Sequence, residues 1–199
     1  MKTKKTNKID MAKTYLEVGN YFIERDWYQP AIKIITKAIE LNPNLGVAYE
    51  RRGLAYGHMF EYENAISDFM IAIKLDATCA GTFCNLGLSH YKLWCFDEAI
   101  KYYDKAITLD PTVSLFYLNR GVAFYNAGQC EKAIADYNKA IKLKTSDSDA
   151  YTYRGEALAD LGKVDQAIAD FDKALTLNPN DIHAYAGRAL MVSRSASPE

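Results

Sequence analysis

Gly19, Gly53, Gly87, Gly121 and Gly155 are spaced 34 residues apart without a slip. A fixed period of this length means a stack of like supersecondary units, each burying its apolar face against the next, rather than one continuous globular core. Twelve residues after each glycine stands an alanine: Ala31, Ala65, Ala99, Ala133 and Ala167. Seven further on stands another, Ala38, Ala72, Ala106, Ala140 and Ala174, and three beyond that come Leu41, Leu75, Leu109, Leu143 and Leu177. An aromatic residue precedes each glycine by four places: Tyr15, Tyr49, Phe83, Tyr117 and Tyr151.

Within one period the apolar residues recur at helical spacing in two runs, such as Ser114 to Asn126 and about Glu131 to Leu143, with a turn at Ala127–Gly128–Gln129. Each unit therefore reads as two antiparallel helices, and the small residues mark where they cross. Proline follows the second helix in units one, three and five (Pro43, Pro111, Pro179), where it stops a helix without breaking it. Ala77 and Thr145 replace it in units two and four, so those junctions are expected to be less sharply specified. Arg52, Arg120 and Arg154 each precede an aspartate by sixteen residues, Asp68, Asp136 and Asp170; where the arginine is absent, as at Val18 and Leu86, so is the aspartate. These pairs are expected to link the two helices of one unit as salt bridges, worth about 0–1 kcal/mol each where they are open to solvent.

The pattern resembles the tetratricopeptide repeat family over roughly residues 12–194. The resemblance implies an all-α, right-handed α-solenoid of helix-turn-helix repeats at 12–45, 46–79, 80–113, 114–147 and 148–181. A capping helix is expected at 182–194, with Tyr185 and Ala189 at the aromatic and glycine places of a sixth unit. Residues 1–11, with Lys2, Lys4, Lys5 and Lys8, are expected to form a lysine-rich tail, and 195–199 a second tail.

Composition narrows the function. A formal net charge of −1 supplies no basic face for phosphate, which argues against nucleic acid. No apolar stretch is long enough to span a bilayer, and the start lacks the apolar core of a signal peptide, so the expected location is cytoplasmic. Cys79, Cys84, Cys95 and Cys130 lack metal-ligand spacing and are expected to stay reduced. His58 and His183 have no nucleophile that the repeat would bring near them. The expectation is a chain without catalytic activity, cofactor or metal.

In the family that this chain resembles, the first helices of successive units line a concave ligand groove. Carried over, the groove places include Asn20, Arg51, Leu54, Asn85, Leu88, Tyr91, Leu118, Asn119, Val122 and Tyr125, with Cys84 and Leu115 beside them and an acidic set, Asp149, Thr152, Tyr153, Glu156 and Asp160, in unit five. Asn85 and Asn119 are one period apart, and an amide both donates and accepts, as peptide recognition requires. The expected function is a protein-interaction scaffold or adaptor that binds an extended peptide or helix of a partner protein through repeats two to four. A plainer reading is that these side chains only seal the seam between neighbouring helices. Co-chaperones of the family hold the EEVD tail of heat-shock proteins with lysine, asparagine and arginine; here those places read Leu16, Asn20, Arg51, Gly81 and Asn85, a single match, which argues against that ligand.

Two further surfaces stand out. The turns that carry Gly128 and Gly162 in units four and five carry Asp26, Phe60 and Trp94 in units one to three, with Trp27 adjacent. These aromatics either cap their own unit, over Tyr28, Tyr62 or Phe96, or form an edge for a partner. Leu190, Met191 and Val192 cannot all face inward from one helix, which leaves self-association, with a homodimer as its simplest form, as the alternative function.

Overall fold

The computed structural model describes residues 2–75 and 79–195, with side chains from residue 7 onward. The described residues form helices and no strand: α1 Lys2–Ile23, α2 Tyr28–Leu41, α3 Gly46–His58, α4 Tyr62–Lys74, α5 Ala80–Lys92, α6 Phe96–Leu109, α7 Ser114–Asn126, α8 Cys130–Leu143, α9 Ser148–Asp160, α10 Val164–Leu177 and α11 Ile182–Ser195. Helix α1 begins at Lys2, so the backbone expected to be a tail over 1–11 is helical from its second residue. The side chains of Lys2, Lys4 and Lys5 and the tail beyond Ser195 lie outside the described residues.

The chain divides into two compact units, one ending at Cys95 with α1–α5 and one starting at Phe96 with α6–α11. In the first, each helix packs on the next, and α3 also touches α1 and α5. In the second, each helix again packs on the next, and α9 also touches α7 and α11.

The glycine period has a side-chain cause. A Cβ at Gly19 would lie 2.3 Å from Ile35, at Gly121 2.6 Å from Tyr137 and at Gly155 2.8 Å from Phe171, all buried side chains of the second helix sixteen residues on. At Gly53 a backbone atom comes close as well, as a helix crossing requires: the Ala65 carbonyl would be 3.2 Å away and the Phe69 ring 3.0 Å. The recurring alanines are fully buried, as helix crossing demands.

The arginine–aspartate pairs form as expected, and they are largely covered rather than open to solvent. Arg52 donates from Nε and Nη2 to Asp68 at 2.7 and 2.9 Å, Arg120 to Asp136 at 2.7 and 2.6 Å, and Arg154 to Asp170 at 2.7 and 2.6 Å. The three aspartates are only 3–6% exposed. Each arginine also reaches back sixteen residues with Nη1, to Thr36 at 3.0 Å, Asp104 at 2.6 Å and Asn138 at 2.6 Å, so that one guanidinium joins the second helices of two successive repeats. Arg188 repeats the backward half with Asp172.

All five turns close alike. The N–H of Trp27, Glu61, Cys95, Gln129 and Lys163 donates to the carbonyl five residues earlier, with Asp26, Phe60, Trp94, Gly128 or Gly162 left-handed in between (φ 58–75°). This is the Schellman closure, for which glycine is the ordinary residue. Phe60 and Trp94 adopt it against a steric cost of about 1–2 kcal/mol each. Phe60 meets Tyr62 edge-on at 6.3 Å, which is part of the capping contact, yet Phe60 and Trp94 remain 78% and 77% exposed.

Proline is not what ends the second helices. Lys144 ends α8 in the same extended conformation that Asn42 and Asn178 adopt before Pro43 and Pro179, so the junction with Thr145 is as sharp as those. Ala77 lies outside the described residues.

Candidate functional site

In the first unit, Leu54 on α3 and Asn85 and Leu88 on α5 are brought together at one cavity of about 330 Å³. Asn85 and Leu54 are half-buried and Leu88 is exposed, so a ligand can reach all three. The floor is the buried ring of Phe69, and one wall is the left-handed Phe60. His58 is held flat on Tyr28, ring centroids 4.6 Å apart and planes 3° from parallel. Lys92 sits at the rim. Arg51 is exposed and Tyr91 half-buried on the same two helices, whereas Asn20, on α1, keeps its side-chain oxygen buried with no hydrogen-bond partner.

The second unit treats the expected groove residues differently. Leu118 is not exposed: it is 7% accessible and packs in a core cluster with Tyr117, Tyr137 and Ala150. Cys84 in the first unit and Thr152 in the second occupy the same place of their repeats and are also buried. Thr152 donates to Asp181 at 2.7 Å. This place therefore seals the seam between helices, while Asn119, Val122 and Tyr125 stay half-buried. Tyr125 donates its hydroxyl to Asp160 at 2.6 Å, and burial together with that carboxylate raises its pKa above the ordinary 10.0.

Asp149, Thr152, Tyr153, Glu156, Asp181 and His183 surround a smaller cavity of about 220 Å³. Burial raises the Glu156 carboxyl above its ordinary 4.5; His183 opposes this, and Asp181 and Asp160 add to it. The folded carboxyl thus binds its proton more tightly than the unfolded one, and stability falls as pH rises from the unfolded value through the folded one. Glu156→Gln is expected to melt higher than the wild type near neutral pH, and the gap should close below about pH 4. Thermal melts across that range check it; a gap independent of pH contradicts it.

Sequence profiles described as tetratricopeptide repeat match residues 12–45, 47–79, 80–113 and 118–182. The chain belongs to the tetratricopeptide repeat family. It is similar to YrrB, described as a tetratricopeptide protein with an unusual peptide-binding site, at 22% identity over 88% of this chain and 90% of that one, TM-score 0.77. It is similar to MamA at 26% identity over 81% and 95%, TM-score 0.77. It also matches the first tetratricopeptide domain of Spaghetti (RPAP3), solved with the HSP90 peptide SRMEEVD, at 30% identity over 59% and 94%, TM-score 0.59.

The repeat itself was readable from spacing. What sequence missed is the cavity. Its signal was Gly57, which stands where the next two repeats carry Tyr91 and Tyr125. Among the described residues, no group of three or more His, Cys, Asp or Glu side chains is placed to hold a metal ion. No described helix is long and apolar enough to cross a membrane.

Proposed function

We infer that this tetratricopeptide protein is a non-enzymatic scaffold or adaptor whose first-helix residues in repeats two to four hold an extended peptide or helix of a partner protein. The observation that carries the reading is the half-exposed Asn85 amide beside Leu54 and Leu88: a polar group among accessible apolar ones at a cavity. The likeness to a domain solved with a bound peptide supports it. The ligand is proposed to be other than an EEVD tail, because Leu16 and Gly81 stand where those co-chaperones carry lysine, and Arg51 and Asn85 where they carry asparagine and arginine. Nucleic acid and membrane are not proposed partners, and the cytoplasm is the proposed location.

The test is capture of a partner from lysate followed by titration against Asn85→Ala. Losing one amide bond worth about 0.5–1.5 kcal/mol is expected to weaken the captured partner about 2- to 13-fold. Equal affinity for both proteins contradicts the reading.

One observation favours the alternative, self-association through α11. Ile182, Tyr185, Leu190 and Val192 are 79%, 55%, 52% and 42% exposed on it. Met191 does not belong to that surface: it is 1% exposed and packs with Phe171, Ala174 and Ala184, because its place on the helix faces α10. Sedimentation of wild type and Leu190→Asp across a concentration series decides this alternative; a dimer lost in the variant supports it, and a monomer throughout rejects it.

A further inference from the structure

Two residues that line the cavity of the first unit are unfavourable for the fold alone. Gly57 lies in helix α3, where glycine costs stability relative to alanine. Its conformation does not call for glycine, and a Cβ built there would meet nothing within 4 Å. Neither packing nor backbone geometry explains it; what a side chain at 57 would do is occupy the cavity. Phe60 is the second. It stands left-handed, mostly in water, as Trp94 does in the third repeat, where the fourth and fifth repeats use Gly128 and Gly162. Besides its edge contact with Tyr62, its ring supplies a wall of the same cavity. Both departures from the stable choice thus shape one space.

The space has a definite chemistry. Leu54, Phe60, Phe69 and Leu88 make it apolar, and its volume of about 330 Å³ is at the small end of the range for ligand pockets, about 300–1,000 Å³. Lys92 is the fixed charge among the lining residues, and none of them is acidic. A neutral apolar hole with a cation at its rim selects an apolar group beside an anion and disfavours a cationic neighbour.

We propose that this cavity receives one bulky apolar side chain of the partner peptide, and that an acidic residue next to that side chain pairs with Lys92. The proposal rests on the peptide-binding reading above and deepens it. Gly57 keeps the hole open and Phe60 closes one side of it.

The test is selection of a random dodecapeptide library displayed on phage against the full chain, followed by titration of the enriched peptides. Enriched sequences are expected to pair Leu, Phe or Trp with a neighbouring Asp or Glu. Gly57→Leu, which fills the space, is expected to weaken them at least tenfold, and Lys92→Glu to weaken them by a similar factor. Phe60→Gly is the second variant: it relieves the left-handed strain, so its melting temperature should equal or exceed the wild type while affinity falls. Thermal melts establish that each variant is folded. Enriched peptides that bind Gly57→Leu and Phe60→Gly as tightly as wild type overturn the cavity proposal and leave the peptide-binding reading standing. Enriched peptides without an acidic neighbour overturn the role of Lys92. A library that yields no binder at all overturns the peptide-binding reading itself.

Discussion

Replacing Arg120 with alanine is expected to lower the free energy of unfolding by about 3–5 kcal/mol, the cost of leaving a buried carboxylate without its partner. Asp136 has only 8% of its side chain exposed and takes both of its close bonds from this guanidinium, while Asp104 takes a third. The contrast is Lys101→Ala: Lys101 pairs with Glu98, both about half exposed, and its loss should cost no more than about 1 kcal/mol. Denaturant titration of the two variants reads the difference. The penalty should come from the orphaned charge rather than from lost attraction. The chain supports this, since its third repeat carries Leu86 and Tyr102 at the arginine and aspartate places. Arg120→Leu combined with Asp136→Tyr and Asp104→Met is therefore expected to recover most of the loss. A triple variant no better than Arg120→Ala contradicts that explanation.

Gly121→Ala is expected to cost about 1–3 kcal/mol, although alanine is the better helix former. The added methyl would sit 2.6 Å from the Tyr137 ring, which is only 1% exposed and packed in the core with Tyr117, Leu118 and Ala133. The same change at Gly57 meets nothing and should raise the melting temperature. Combining Gly121→Ala with Tyr137→Leu should give a smaller loss than the two single variants summed, because the second change removes the atoms that collide with the first. Additive losses would mean that Gly121 is required for some reason other than the ring.

How much the sequence discloses depends on whether a feature repeats. The helix pairs, the left-handed turn places and the sixteen-residue arginine–aspartate links all recur, so spacing alone locates them. Burial of the aspartates was not legible, because a charge pattern does not say which face is covered. The backward bonds to Thr36, Asp104 and Asn138 escaped for a related reason: their acceptors differ in type from repeat to repeat. Position within a repeat does not reveal what a neighbouring helix covers, which is why burial of Leu118 and Met191 cannot be read from spacing. Gly57 broke the pattern, and only the space around it gives that break a meaning.

The most direct test of peptide binding by the first helices is amide chemical-shift mapping of the wild-type chain with its tightest library peptide. The largest shifts are expected at Leu54, Gly57, Asn85 and Leu88, with matching losses of affinity in Gly57→Leu and Asn85→Ala. Saturable shifts confined to α11, around Leu190 and Val192, with those four amides unmoved, would contradict it.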